Sequence, residues 1–154
     1  MNIASFYGTG YEALFTGVTA VIVAQILKFF VHLIWKRKVD LRLFTTTGGM
    51  PSSHSAGVIG MAATVGIIEG YSSILFAITF GYSLVVMYDA AGVRRSAGKI
   101  AAVLNRIKED IYAHNPALIG EKLKELLGHT PFEVFVGAIL GAFVAYFNHF
   151  LLLQ

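Results

Sequence analysis

The sequence predicts an all-α membrane protein: a polytopic helix bundle of about four transmembrane helices, with a cytoplasmic amphipathic helical segment between the third and the fourth. Three observations predict it. Hydrophobic residues fill 56% of the 154 positions and charged residues only 14%, a balance foreign to soluble domains. Several apolar runs reach the eighteen or so residues that cross hydrocarbon. The basic residues gather in two connections instead of spreading over a surface. The length suits one membrane domain, residues 1–154.

The first span is expected over about 11–35, apolar apart from Gln25, Lys28 and His32, and it stops at Lys36, Arg37 and Lys38. No basic start precedes it and no small-residue cleavage site follows it, so it reads as a retained span and not a signal peptide. The second, about 53–70, begins after Pro51 and rises roughly 27 Å, just enough to cross. A turn at Gly70, Tyr71 and Ser72 leads into the third, about 73–91. Within the insert, 94–128, Ile100, Val103, Leu104, Ile107 and Ile111 recur at helical spacing while Lys99, Arg106, Lys108 and Glu109 take other faces. That is an amphipathic helix for the membrane surface or the mouth of the bundle. Asn115-Pro116 ends it, and a short helix to Leu127 follows with Gly128 as its C-terminal cap. The fourth span covers about 131–153.

Of the twelve Lys and Arg residues, Lys36, Arg37, Lys38 and Arg42 lie in the first connection and seven lie between Arg94 and Lys124. Lys28 alone sits inside a span. By the positive-inside rule both basic connections face the cytoplasm and both termini face out, in what is expected to be a bacterial cell membrane. Without cysteine, disulfides and thiolate metal sites are excluded. The net charge of +3 flanks apolar helices and is not interleaved with exposed aromatics, which points to anionic lipid headgroups and away from nucleic acid.

Three polar segments carry chemistry. Thr45 to Ser55, with Gly48, Gly49, Ser52, Ser53 and His54, is a Gly-rich loop running into a helix. Such a start offers free N–H groups, hydroxyl donors and close backbone approach to a phosphate. A serine that merely caps the helix explains the same residues. His54 beside the loop is positioned to donate a proton to a leaving oxygen. Gly128 to Glu133 contains a capping box, Thr130 with Glu133, and Pro131 at the first helical position. His129, just outside that cap, is unexplained by helix chemistry, and the positive helix end favours its neutral, nucleophilic form. Asp89, an acid at the end of a span, needs a partner: an internal ion pair with Lys28 or an arginine, a histidine to orient, or a cation to help hold. Arg94 and Arg95 read equally as stop-transfer charges or as phosphate ligands.

The segments GGMPSSHSA (48–56), YDAAGVRRSAG (88–98) and LKELLGHTPFEV (123–134) together resemble the divergent branch of the type-2 phosphatidic acid phosphatase superfamily, related to vanadium-dependent haloperoxidases. The superfamily pattern is Lys-x6-Arg-Pro, Pro-Ser-Gly-His and Ser-Arg-x5-His-x3-Asp. Pro51-Ser52-Ser53-His54 matches the second motif with serine for glycine, which implies phosphate binding by Ser52 and general-acid work by His54. His129-x3-Glu133 resembles the end of the third with a longer acid, which implies His129 as nucleophile and Glu133 as its orienting partner. Lys-x6-Arg-Pro is missing, leaving Lys28, Arg37 or Arg42 as substitutes. The third motif's arginine would be Arg94 or Arg95, far ahead of His129.

The resulting expectation is hydrolysis of a lipid phosphate or diphosphate at the cytoplasmic face, with no metal or other cofactor. Non-catalytic binding or translocation of a phosphorylated lipid is the alternative, and a purely structural polar network is the third reading. Gly137 and Gly141, four apart in the fourth span, predict close helix packing, either within the chain or across a homodimer.

Overall fold

The structure is a computed structural model that describes residues 7–37, 49–112, 123 and 128–152. The Asn115-Pro116 break, the short helix to Leu127, and the candidate residues Arg42 and Gly48 lie outside the described residues. Helix α1 spans Gly10–Lys36, α2 Ser53–Glu69, α3 Ile74–Tyr88, α4 Arg94–Tyr112 and α5 Pro131–Phe147. A π-helical turn, Asp89–Val93, joins α3 to α4, and another, Asn148–Leu152, extends α5.

Hydroxyl caps start three of the helices. Ser52 Oγ accepts the Ser55 N–H (3.4 Å), Ser73 Oγ that of Phe76 (3.1 Å) and Thr130 Oγ1 that of Glu133 (3.2 Å). Each satisfies an N–H that the helix itself leaves unpaired.

Among the described residues, three helices meet the length and apolarity of a bilayer span: Gly10–Trp35, the continuous Ile74–Asp110 and Pro131–Leu151. The chain is thus an all-α integral membrane bundle. Helix α2, with 17 residues, rises about 25 Å, at the short end of what crosses hydrocarbon. It is the central helix, packed on α1, α3 and α5.

Small residues make that centre possible. The buried face of α2 is Ser53, Ser55, Ala56, Gly57, Gly60, Ala62, Thr64 and Gly66. On α5, a Cβ added at Gly137 would strike Ser52, and one at Gly141 would strike Ala56 and Gly60. Between membrane helices, where lipid is as apolar as leucine, such backbone approach is the main source of attraction. The two glycines therefore work within the chain. On that face it is α2 of the same chain that they meet.

The π turn has a geometric effect. Ser83 on α3 and Ala90 in the π turn are buried, as are Gly98 and Asn105 on α4; the steps between them are seven, eight and seven residues. The additional residue is the one a π turn inserts, so the buried side of α3 continues along α4. The expected third span and the expected amphipathic helix are one rod of 37 residues, about 55 Å long.

Candidate functional site

The inner face of α1 is mostly alanine, Ala13, Ala20 and Ala24, until Lys28, one further turn along. Lys28 is only 2% exposed and its Nζ has no hydrogen-bond partner. Its alkyl stem lies against Gly49, whose Cα has Lys28 Cγ and Cδ within 3.6 Å of where a Cβ would stand. Gly49 holds φ +90°, a left-handed backbone that any side chain would strain, so the loop closes over the lysine only with glycine there.

The start of α5 approaches the same point. The Glu133 carboxylate accepts from the Thr130 N–H (3.2 Å), completing the expected capping box, and holds His129 Nδ1 at 3.0 Å. A carboxylate only accepts, so Nδ1 carries the proton, and in the neutral ring Nε2 is left with its lone pair. That Nε2 is buried without a hydrogen-bond partner, as is Gln25 Oε1 one turn before Lys28. Burial holds the His129 pKa below the ordinary histidine value; the Glu133 hydrogen bond and, less strongly, the nearby Gly49 backbone work against that shift, and the Lys28 charge adds to it.

Backbone hydrogen bonds tie this segment to the π turn and to the start of α2. The Ala90 carbonyl, inside the π turn, accepts the His129 N–H (3.1 Å), and the Glu133 carbonyl accepts the Ser52 N–H (3.1 Å). Gly128, read from sequence as a helix cap, has another role: a Cβ there would collide with the Arg95 backbone, so glycine lets the 128–130 segment press onto α4.

Beside Lys28 opens a cavity of about 290 Å³ with Gly49, Thr130 and Glu133 as its polar wall and Val31, Trp35 and Phe132 among its apolar one. The expected residues divide around it. Lys28, Gly49 and Glu133 line it, and His129 is tied to Glu133 behind it. Ser52 caps α2 with its side chain, also taking the Ser55 hydroxyl at 3.0 Å, and Ser53 is buried at the first turn. Asp89 takes the ion-pair reading: its carboxylate meets Arg94 at 3.1 Å across the π turn, both part-exposed. Arg37 is exposed at the end of α1. His54 is exposed and faces an apolar groove of about 360 Å³ between α1 and α2, with Lys28, His129, Asp89 and Arg94 in electrostatic reach.

The sequence reading passes over a second buried cluster, at the opposite end of α1 and α5. His149 Nδ1 meets Glu12 Oε1 at 2.6 Å, the Gly8 N–H donates to Glu12 Oε2 (2.7 Å), and the Tyr7 hydroxyl meets His149 Nε2 (3.2 Å). Asn148 donates to Thr16 beside it (3.3 Å). An acid and a histidine inside apolar runs were the available signal; nothing in the linear order pairs residues so far apart.

Comparison with known proteins agrees with the motifs. The uncharacterized membrane protein YuiD of Bacillus subtilis (strain 168) is 42% identical over 83% of this chain and 87% of that one. No solved structure matches the chain. Residues 10–144, which include every element around His129 and Lys28, match the Divergent PAP2 family, and the chain belongs to that membrane phosphatase-like family.

Proposed function

We propose that the cavity beside Lys28 takes the phosphate of a phosphorylated lipid and that His129 attacks its phosphorus. One observation carries this reading: His129 Nε2 and Lys28 Nζ are both buried without hydrogen-bond partners, while Nδ1 of the same histidine is held by Glu133. An imidazole oriented by a carboxylate, with its other nitrogen bare, is a nucleophile's arrangement. A buried ammonium beside it supplies the charge that a phosphate needs.

In this scheme Nε2 forms a bond to phosphorus as the P–O bond to the lipid alcohol breaks. His54 protonates the departing alkoxide, and water then attacks the phosphohistidine to release phosphate and free Nε2. The apolar wall of Val31, Trp35 and Phe132 suits a substrate that stays in the bilayer. The basic residues of the flanking connections put the site at the cytoplasmic face. Purified protein is assayed for phosphate release from short-chain lipid phosphates, with acid-labile phosphohistidine trapped by rapid quenching. Release that survives His129→Ala would remove the histidine from its role.

A second reading has support of its own. The Ser52 side chain is engaged in a helix cap, Arg94 is engaged by Asp89, and His54 does not line the cavity, so groups that would stabilise a transition state are committed elsewhere. Binding or translocation of the lipid phosphate without chemistry would then be the function. Saturable binding of lipid phosphate by wild-type protein, with no turnover and no trapped intermediate, selects it.

A further inference from the structure

Helix α4 buries one side and leaves the opposite one bare. On the buried side, Asn105 clamps the chain at Leu123 through two hydrogen bonds, 2.9 and 2.8 Å, and Gly128 presses on the Arg95 backbone. On the other side Val93 (the last residue of the π turn), Ile100, Leu104 and Ile107 are 44 to 61% exposed, with Ala97 exposed between them and Val103, 59% exposed, beside that line. Their spacing is four, three, four and three residues, so Val93, Ile100 and Ile107 fall at d of a heptad and Ala97 and Leu104 at a. A 3.5-residue repeat is the pattern of helices that pair with one another along a seam. A helix lying on lipid needs only a broad apolar face.

The charges fit the same partner. The e and g places beside the seam hold Arg94, Ser96, Ala101, Val103, Lys108 and Asp110; Arg94 is already paired with Asp89 of its own chain, and in a parallel pair Lys108 faces Val103, so no like charges meet. Arg95, Lys99 and Arg106 fall at f and c, away from the seam. Depth argues likewise: Ile74 to Val93 is 20 residues, about 30 Å of helix, which fills the hydrocarbon. Helix α4 therefore starts where the bilayer core ends, and its apolar stripe has no lipid tails beside it along the same axis.

We infer that this stripe is a self-association seam, where α4 of one copy packs in parallel on α4 of another. Copies inserted in one membrane share their orientation, which supplies the parallel arrangement. Their confinement raises effective concentration, which compensates for a seam shorter than the three or four heptads of a free-standing coiled coil. Isoleucine at d with leucine at a favours assemblies of more than two strands.

The test uses single cysteines in the intact chain, which has none of its own. In native membranes, Ile100→Cys, Leu104→Cys and Ile107→Cys should give disulfide-linked pairs several-fold more readily than Lys99→Cys and Arg106→Cys, which stand on other faces. Leu104→Glu with Ile107→Glu should reduce the assembly in mild detergent to monomers. Equal cross-linking at all five positions would overturn the proposal. So would fluorophores at 100 and 104 that are quenched by lipid-borne nitroxides without cross-linking, because α4 would then lie on the bilayer.

Discussion

Among the described residues, two histidine–carboxylate pairs with buried histidines lie one toward each end of α5, built from the same groups to different effect. At His149 both ring nitrogens are engaged, Nδ1 by Glu12 and Nε2 by the Tyr7 hydroxyl, and the second Glu12 oxygen takes the Gly8 N–H. At His129, Nδ1 is held by Glu133, while Nε2 is buried with the Gly49 backbone nearby but makes no hydrogen bond, beside an equally unpaired Lys28 ammonium. A buried polar group without a partner costs about 1–3 kcal/mol. A fold that satisfies one histidine fully and leaves the other half satisfied has the means to satisfy both. The closed pair is a clasp that ties the start of α1 to the end of α5, and the open one is the pair to which the proposed function assigns the ligand.

The sharpest way to break this comparison is to remove each ring. His129→Ala should abolish phosphate release, a loss on the order of 10⁴-fold or more, while the melting temperature in detergent moves little. His149→Ala should do the reverse, costing about 3 kcal/mol of stability through an uncompensated Glu12 and preserving turnover per folded molecule. If both substitutions act on stability alone, the distinction between the pairs fails.

Next in size is the glycine seam that runs between the two ends. Gly141→Leu must push α5 off Ala56 and Gly60, an overpacking cost of about 3 kcal/mol or more, and it should weaken both ends at once. Size analysis should find the mass of the assembly unchanged, since the seam is internal. A fall in mass at an unchanged melting temperature would return these glycines to an interface between copies.

Much of this was legible beforehand because it is local. The capping box of Thr130 and Glu133, the serine cap at Ser52 and the glycine pair of α5 are patterns within four residues of each other, and each has the structural effect its spacing implies. The motifs led to an expected convergence of His54, His129 and Asp89 with Arg94 or Arg95; instead three separate elements gather Lys28, Gly49, His129 and Glu133, while His54 faces another groove and Asp89 pairs with Arg94. The rest depended on long-range packing. Glu12 and His149 are 137 residues apart. The role of Gly128 depends on the backbone of Arg95, and Asp89 finds Arg94 only because a π turn shortens the distance between positions five apart. The same turn made two expected helices into one, which no periodicity on either side could announce.

A smaller effect tests whether the His149 clasp is structural in kind. Replacing both partners, Glu12→Leu with His149→Leu, removes the polar groups together and should recover most of what His149→Ala alone loses, because an apolar pair of similar volume is often neutral in place of a buried ionic one. A thermal melt of the single and double variants measures this. A double variant that melts as low as the single one would mean that the hydrogen bonds themselves, with Tyr7 and Gly8, hold the two termini.

The smallest expected effect is a shift in pH dependence at the open pair, and its sign is fixed by the surroundings. Burial lowers the His129 pKa below its ordinary 6.5, Glu133 raises it through the hydrogen bond and its charge, and Lys28 lowers it. The nucleophile is the neutral ring, so the acid limb of kcat/KM should lie below 6.5. Lys28→Met removes a positive neighbour and should move the limb up; Glu133→Gln removes the group that favours the charged ring and should move it further down. Stability follows the same linkage. Because the unfolded chain binds the proton more readily, the contribution of this site is fully present above 6.5 and is lost as the pH falls from there through the lower folded value. Two variants that shift the limb in opposite directions identify His129 as the titrating group. A limb that moves the same way in both, or in neither, assigns it to another residue and leaves the open histidine without its role.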